Sequence, residues 1–176
     1  MSTAPANGRT PAGAGRSRVL STVPAQRRAL DASVLVARDP AAEVYLDGSA
    51  LSRYLPQAPE ARAWSAWVAE HEAAVVVSQV TVLEARVTAG FLGVEASLVV
   101  LDVLTRVGRM RLSDQVLRRA VLLPADLAPF AALHVGAALA HVDVRAIATY
   151  EAPTARAAAA AGLDVVSPGR PAGWWR

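Results

Sequence analysis

The chain has 176 residues, 53% of them hydrophobic, which suits one domain with a well-filled core and some excess length. It has no Cys, so disulfides, zinc–thiolate centres and cysteine nucleophiles are excluded. All 18 basic residues are Arg, which excludes chemistry that needs a lysine amine, such as Walker-type phosphate binding or Schiff-base formation.

Charge is unevenly placed. Residues 1–40 carry six Arg against Asp31 and Asp39, a net of +4, while the remainder carries twelve Arg against thirteen acids, a net of −1. The basic character therefore belongs to the N-terminal stretch. Residues 1–41, rich in Ala, Gly, Pro, Ser and Arg, read as a disordered extension. It is either an arm that attracts nucleic-acid phosphates or a dispensable leader, and the leader is favoured. Within it "RRALDASVLVARDP" can form one short helix. The opening "MSTAPANGRTPAGAGRSRVL" lacks the uninterrupted apolar core of a secretion signal. No apolar run reaches the roughly 18 residues that span a bilayer. The expectation is a cytoplasmic protein with no membrane partner.

From residue 43 strands and helices alternate, in a domain expected over 42–170. "EVYL" (43–46) is a short strand, and a helix begins near Ser49. "PEARAWSAWVAEHE" is amphipathic, with Trp64, Trp67 and Val68 on one face at helical spacing. "AAVVVS" is a β-branched, fully buried second strand. "QVTVLEARVTAG" is a helix stopped by Gly90, and "VEASLVVLDVLTRVG" one closed by Gly108. "MRLS" is the third strand, and Ser113 caps the helix "DQVLRRAVLL". "ADLAPFAALHVGAALAH" is helical with Asp126 as its N-cap, "VDVRAIATY" is a strand, "APTARAAAAAG" a helix and "LDVVSPG" the last strand. The aromatic tail 171–176, "PAGWWR", is expected to be exposed and open to a partner. Strands separated by helices of this length predict βαβ units: an α/β fold, a three-layer α/β/α sandwich around a central parallel sheet.

In such sheets ligands collect beyond the carboxyl ends of the strands. Asp47 follows "VYL", Glu151 follows "IATY", and Glu84 lies on the first turns of the helix after "VVVS". All three point to one sheet edge, where they can converge. Carboxylates gathered about one point repel unless a divalent cation is present, and their hard oxygens suit Mg²⁺ or Mn²⁺. Each acid also has a plainer reading: Asp47 as a helix cap, Glu84 as a partner of Arg86 or a solvated residue, Glu151 as complement to a helix N-terminus. His134 and His141, on a mostly apolar helix, read as structural. Trp64 and Trp67 read as core or interface, and Asp102 as a solvated helix face.

"VYLDGSALSRYL" resembles the opening motif of PIN-domain nucleases, in particular the VapC-like toxins of type II toxin–antitoxin pairs. "VSQVTVLEARV" is similar to their second motif, with a Glu in the helix after the second strand. "FAALHVGAALAHVDVRAIATYEAPTARAAAAAGLDVVSPG" resembles the rest, and the likeness runs over about residues 43–169. It implies Mg²⁺- or Mn²⁺-dependent endonucleolytic cleavage of RNA. It implies Asp47, Glu84 and Glu151 as metal ligands and catalytic acids, Glu151 standing where the family has Asp. Ser49 would help place a water or ligand, and Thr149 would support the site from its strand. A cognate VapB-like antitoxin and a homodimer are the implied partners beside RNA. Ala131 departs from the family, occupying the place of an acid in an Asp-Ala-Leu-His-like motif, and Asp126 is five residues away on another part of the helix. Two outcomes stay open: an attenuated endoribonuclease, or a degenerate module that binds RNA or protein without cutting. A receiver-type phosphate-transfer domain is disfavoured, since no Lys is present to reach a phosphate.

Overall fold

The structure, a computed structural model, describes residues 43–176. The Arg-rich extension 1–41 and its short helix lie outside the described residues. Five strands form one sheet: β1 (Val44–Leu46), β2 (Val75–Val77), β3 (Gly108–Arg109), β4 (Ala146–Ala148) and β5 (Asp164–Val166). Their order is β3-β2-β1-β4-β5, and every neighbouring pair is parallel. The helices are α1 (Gly48–Leu51), α2 (Ala61–His71), α3 (Gln79–Leu92), α4 (Val94–Arg106), α5 (Asp114–Ala120), α6 (Pro129–Ala140) and α7 (Ala152–Ala160). No helix among the described residues is long and apolar enough to cross a membrane.

The three-layer sandwich follows from alternation along three-residue strands. Val44, Leu46, Val75, Val77, Ala146 and Ala148 face one side, in a core shared with Trp64 and with Ala85, Ala89, Val100 and Val103 of α3 and α4. Tyr45, Val76 and Ile147 face the other, packed with Val116, Val135, Ala138 and Ala158 of α5, α6 and α7. Both faces are covered, so the inner strands carry no charged residue and read as near-continuous apolar runs. Trp64 and Trp67 both serve the first core, Trp64 fully buried and Trp67 packed against it.

Several local expectations need correction. The third strand is Gly108–Arg109, not "MRLS". The Met110 N–H still bonds to the Val77 carbonyl at 2.9 Å, but the Leu112 N–H is taken by the Gln79 side chain at 2.8 Å, which draws the chain off the sheet. Gly90 does not stop its helix; α3 continues to Leu92, and Gly93 makes the turn at φ +107°, a conformation only glycine adopts freely. Asp126 caps nothing. The helix starts at Pro129, because the residue before a proline is held out of helical geometry, and Ala128 is the cap position. Ser113 stands at the N-cap of α5 without a side-chain capping bond. The tail is not fully exposed: Trp174 and Trp175 are part-buried, with Arg170 over the Trp174 ring and Arg156 donating to the Trp175 carbonyl.

The sheet order places the site. From β1 the chain passes to β2 and β3 on one side, then returns through β4 and β5 on the other. Beside β1 the winding reverses, and at the carboxyl ends of β1 and β4 the departing segments separate to leave a crevice.

Candidate functional site

Asp47 leaves β1 directly into this crevice and is 2% exposed. Its Oδ1 accepts from the Ala50 N–H at 2.9 Å and from the Ser49 hydroxyl at 2.6 Å, so it does cap the four-residue helix α1. Neither bond uses Oδ2. Burial raises the Asp47 carboxyl pKa above the ordinary 3.8, against the lowering influence of hydrogen bonds from Ser49, Thr149 and the Ala50 N–H. A buried carboxylate without a protein cation in contact is costly to keep charged. Ser49 also accepts from the Tyr150 N–H at 2.8 Å, which ties the end of β4 to the end of β1. Its proton and one of its two lone pairs are thus spent on the scaffold. Thr149, fully buried just beyond β4, accepts from the Glu151 N–H at 3.1 Å, while its carbonyl takes the Ser167 hydroxyl at 2.6 Å.

Glu84 reaches the same place from α3. The start of α3 is fixed by a capping box, with Ser78 and Thr81 each accepting from the other's side of the first turn. Glu84 Oε2 accepts from the Gly48 N–H at 3.2 Å and pairs with His134 Nε2 at 2.7 Å. Its partner is therefore not Arg86. The approach requires glycine at 48: a Cβ there would lie 2.7 Å from the Glu84 Cβ. Gly48→Ala is accordingly expected to push Glu84 out of place, with a fall in Tm in thermal melts that marks the clash.

His134 and Tyr45 are the residues that sequence reasoning missed. His134 is 3% exposed on α6, with Nδ1 at 2.7 Å from the Tyr45 hydroxyl. That hydroxyl also meets Ser78 at 2.7 Å and Thr81 at 3.1 Å. Burial pushes the Tyr45 pKa well above its usual value and keeps the phenol protonated. A signal was present: Tyr45 and Asp47 share one side of a strand at period two, and His134 lies one helical turn from position 131.

Glu151 stands at the N-cap position of α7, makes no capping bond with its side chain and is exposed. It lines a cleft of about 660 Å³ together with Asp47, Ser49, Glu84, Ala131 and His134. The structure thus brings all three predicted acids to one cleft, but not to one point. Among the described residues no group of three or more Asp, Glu and His side chains is arranged to hold a metal ion. The reason is local: Glu84 is drawn to His134 and Gly48, and Asp47 Oδ1 to α1, while Glu151 stays in solvent. The donor set still fits a hard divalent cation, because Mg²⁺ usually takes one or two protein carboxylates and keeps several waters. Asp47 and Glu84, both fixed by N–H groups of the same short helix, make such a pair. Arg53 is on the cleft wall, its guanidinium 4.2 Å from the Tyr150 ring centroid and 3.3 Å from Glu60. Beside it Tyr150 is pushed by burial up to about 12. Asp126 does not line this cleft.

Compared with known proteins, the chain matches no family model and no curated protein.

Proposed function

We propose that the chain is a VapC-like PIN-domain endoribonuclease dependent on Mg²⁺ or Mn²⁺, attenuated because Ala131 leaves the cleft one carboxylate short. The observation that carries this reading is that Asp47, Glu84 and Glu151 all line one cleft at the switch point of a parallel sheet. Asp47 and Glu84 would hold the ion, with Glu151 acting through water. When bound, the ion supplies Lewis-acid relief of charge on the phosphoryl group and lowers the pKa of water. The chain's own residues do the rest. α1 orients the Asp47 carboxylate, Ser49 locks the β1 and β4 ends together, and Thr149 sets the backbone that carries Glu151. Arg53, a guanidinium on the cleft wall, meets the RNA backbone.

A VapB-like antitoxin and a homodimer belong to the same proposal. Leu83 and Val87 line the cleft while 54% and 51% exposed, and Phe91 extends that apolar edge at 88%, which suits a protein partner more than RNA alone. A second reading, a module that binds without cutting, is favoured by one feature: Ala131 on the cleft wall where a further ligand would complete the cage. The two separate in one assay. Purified chain incubated with structured RNA and Mn²⁺ is expected to cleave slowly, to stop with EDTA and to resume when Mn²⁺ is restored. RNA retained but never cut leaves the binding reading.

A further inference from the structure

Behind the cleft runs a buried chain of polar groups whose protons can be counted. Thr81 Oγ1 donates its proton to the Leu46 carbonyl at 2.7 Å, so toward Tyr45 it can only accept. Ser78 Oγ accepts from the Val80 N–H, and its own proton has the Tyr45 oxygen as acceptor at 2.7 Å. Taking Tyr45 as donor to the nearer of its two remaining partners, His134 Nδ1 at 2.7 Å rather than Thr81 at 3.1 Å, makes that nitrogen an acceptor. An imidazole that accepts at Nδ1 carries its proton on Nε2. Nε2 faces Glu84 Oε2 at 2.7 Å and donates to it. The opposite tautomer would set two lone pairs against each other at that distance. Every proton in the run Ser78, Tyr45, His134, Glu84 is thereby used once.

We propose that His134 is a positioning residue: held in its Nε2–H tautomer by Tyr45, it fixes Glu84 by one oxygen, Oε2, and so leaves Oε1 as the atom offered to a divalent cation. Oε2 takes both the Gly48 N–H and the His134 N–H, while Oε1 takes no hydrogen bond from a described residue. The arrangement is the one metal-ligating groups need from their surroundings, a partner that sets orientation before the ion arrives. It rests on the divalent-ion reading above, but its first test does not use RNA or metal.

Long-range proton–nitrogen NMR of the metal-free full chain near neutral pH is expected to show His134 protonated at Nε2 and bare at Nδ1. In Tyr45→Phe the ring is expected to sample both tautomers, and the Gly48 amide, no longer opposite a fixed carboxylate, to exchange faster with solvent. A ring protonated at Nδ1 in the wild type, or an unaltered tautomer and unaltered Gly48 exchange in Tyr45→Phe, would overturn the proposal. Calorimetric titration with Mn²⁺ alone adds a second measure: His134→Leu is expected to lose about 10- to 100-fold in affinity, and His134→Gln, which keeps an N–H for Glu84, to retain most of it. Equal losses in the two variants would count against positioning. Should the wild type show the expected tautomer yet never cleave RNA, the ribonuclease reading falls and the positioning role stands.

Discussion

Asp47→Asn is expected to abolish divalent-dependent RNA cleavage and at the same time to make the fold more stable. The amide keeps an oxygen for the Ala50 N–H and the Ser49 hydroxyl, so the cap of α1 survives. What it removes is a charge that burial disfavours. The sign is fixed by the direction of the shift. A carboxyl with its folded pKa raised above the unfolded value contributes stability in full below about pH 3.8, and loses it as pH rises through the folded pKa. Wild type and Asp47→Asn are therefore expected to melt alike at low pH and to diverge as pH rises, the variant remaining the more stable at neutral pH. A gain of about 0.5–2 kcal/mol is the usual size when a strained functional group is relieved, worth roughly 2–4 °C per kcal/mol in a chain of this length. Thermal melts across pH give the answer. In Mn²⁺ the order is expected to narrow or reverse, since an ion that binds only the folded wild type stabilises it alone.

Ala131→Asp is the second large effect. Position 131 lines the cleft on α6, three residues before His134, and residues three apart share a helix face. Because Ala131 is only part-buried, an Asp there keeps solvent contact and does not disrupt the core. Loss or gain of one well-placed electrostatic group changes rate on the order of 10²–10³. The variant is expected to bind Mn²⁺ more tightly and to cleave faster by about that factor. In EDTA the added like charge near Glu84 and Asp47 lowers Tm, and in Mn²⁺ it raises it. An unchanged rate and an unchanged response to Mn²⁺ would mean that this face of α6 does not look onto the ion.

The fold was legible in the chain because its signals are local. "VYL", "VVV" and "AIA" bury both faces of a sheet, and their spacing leaves room only for helices between them, which is what a parallel sandwich requires. Element ends were less legible. Gly90 and Gly93 differ only in which one the tertiary structure bends, and Asp126 looks like a cap until Pro129 is seen to set the start of its helix. The acids were found because each ends a strand or opens a helix at one sheet edge. His134 and Tyr45 were missed for a physical reason. A lone His among apolar residues signals burial, and only packing across 50 and 89 residues of sequence shows what it bonds to. Packing also explains why the three carboxylates share a cleft without meeting. Asp47 is held by α1 and Glu84 by His134 and Gly48, while Glu151 stays in solvent, and the sequence pattern does not show those bonds.

The most direct measurement of the cleft as a divalent-ion site for RNA cleavage pairs wild type with Asp47→Ala at high protein concentration, on one structured RNA, with Mn²⁺ and then with EDTA. Slow cleavage by the wild type that EDTA stops, and none by Asp47→Ala, is the result predicted. Equal cleavage by both proteins, or cleavage by the wild type that persists in EDTA, would contradict it.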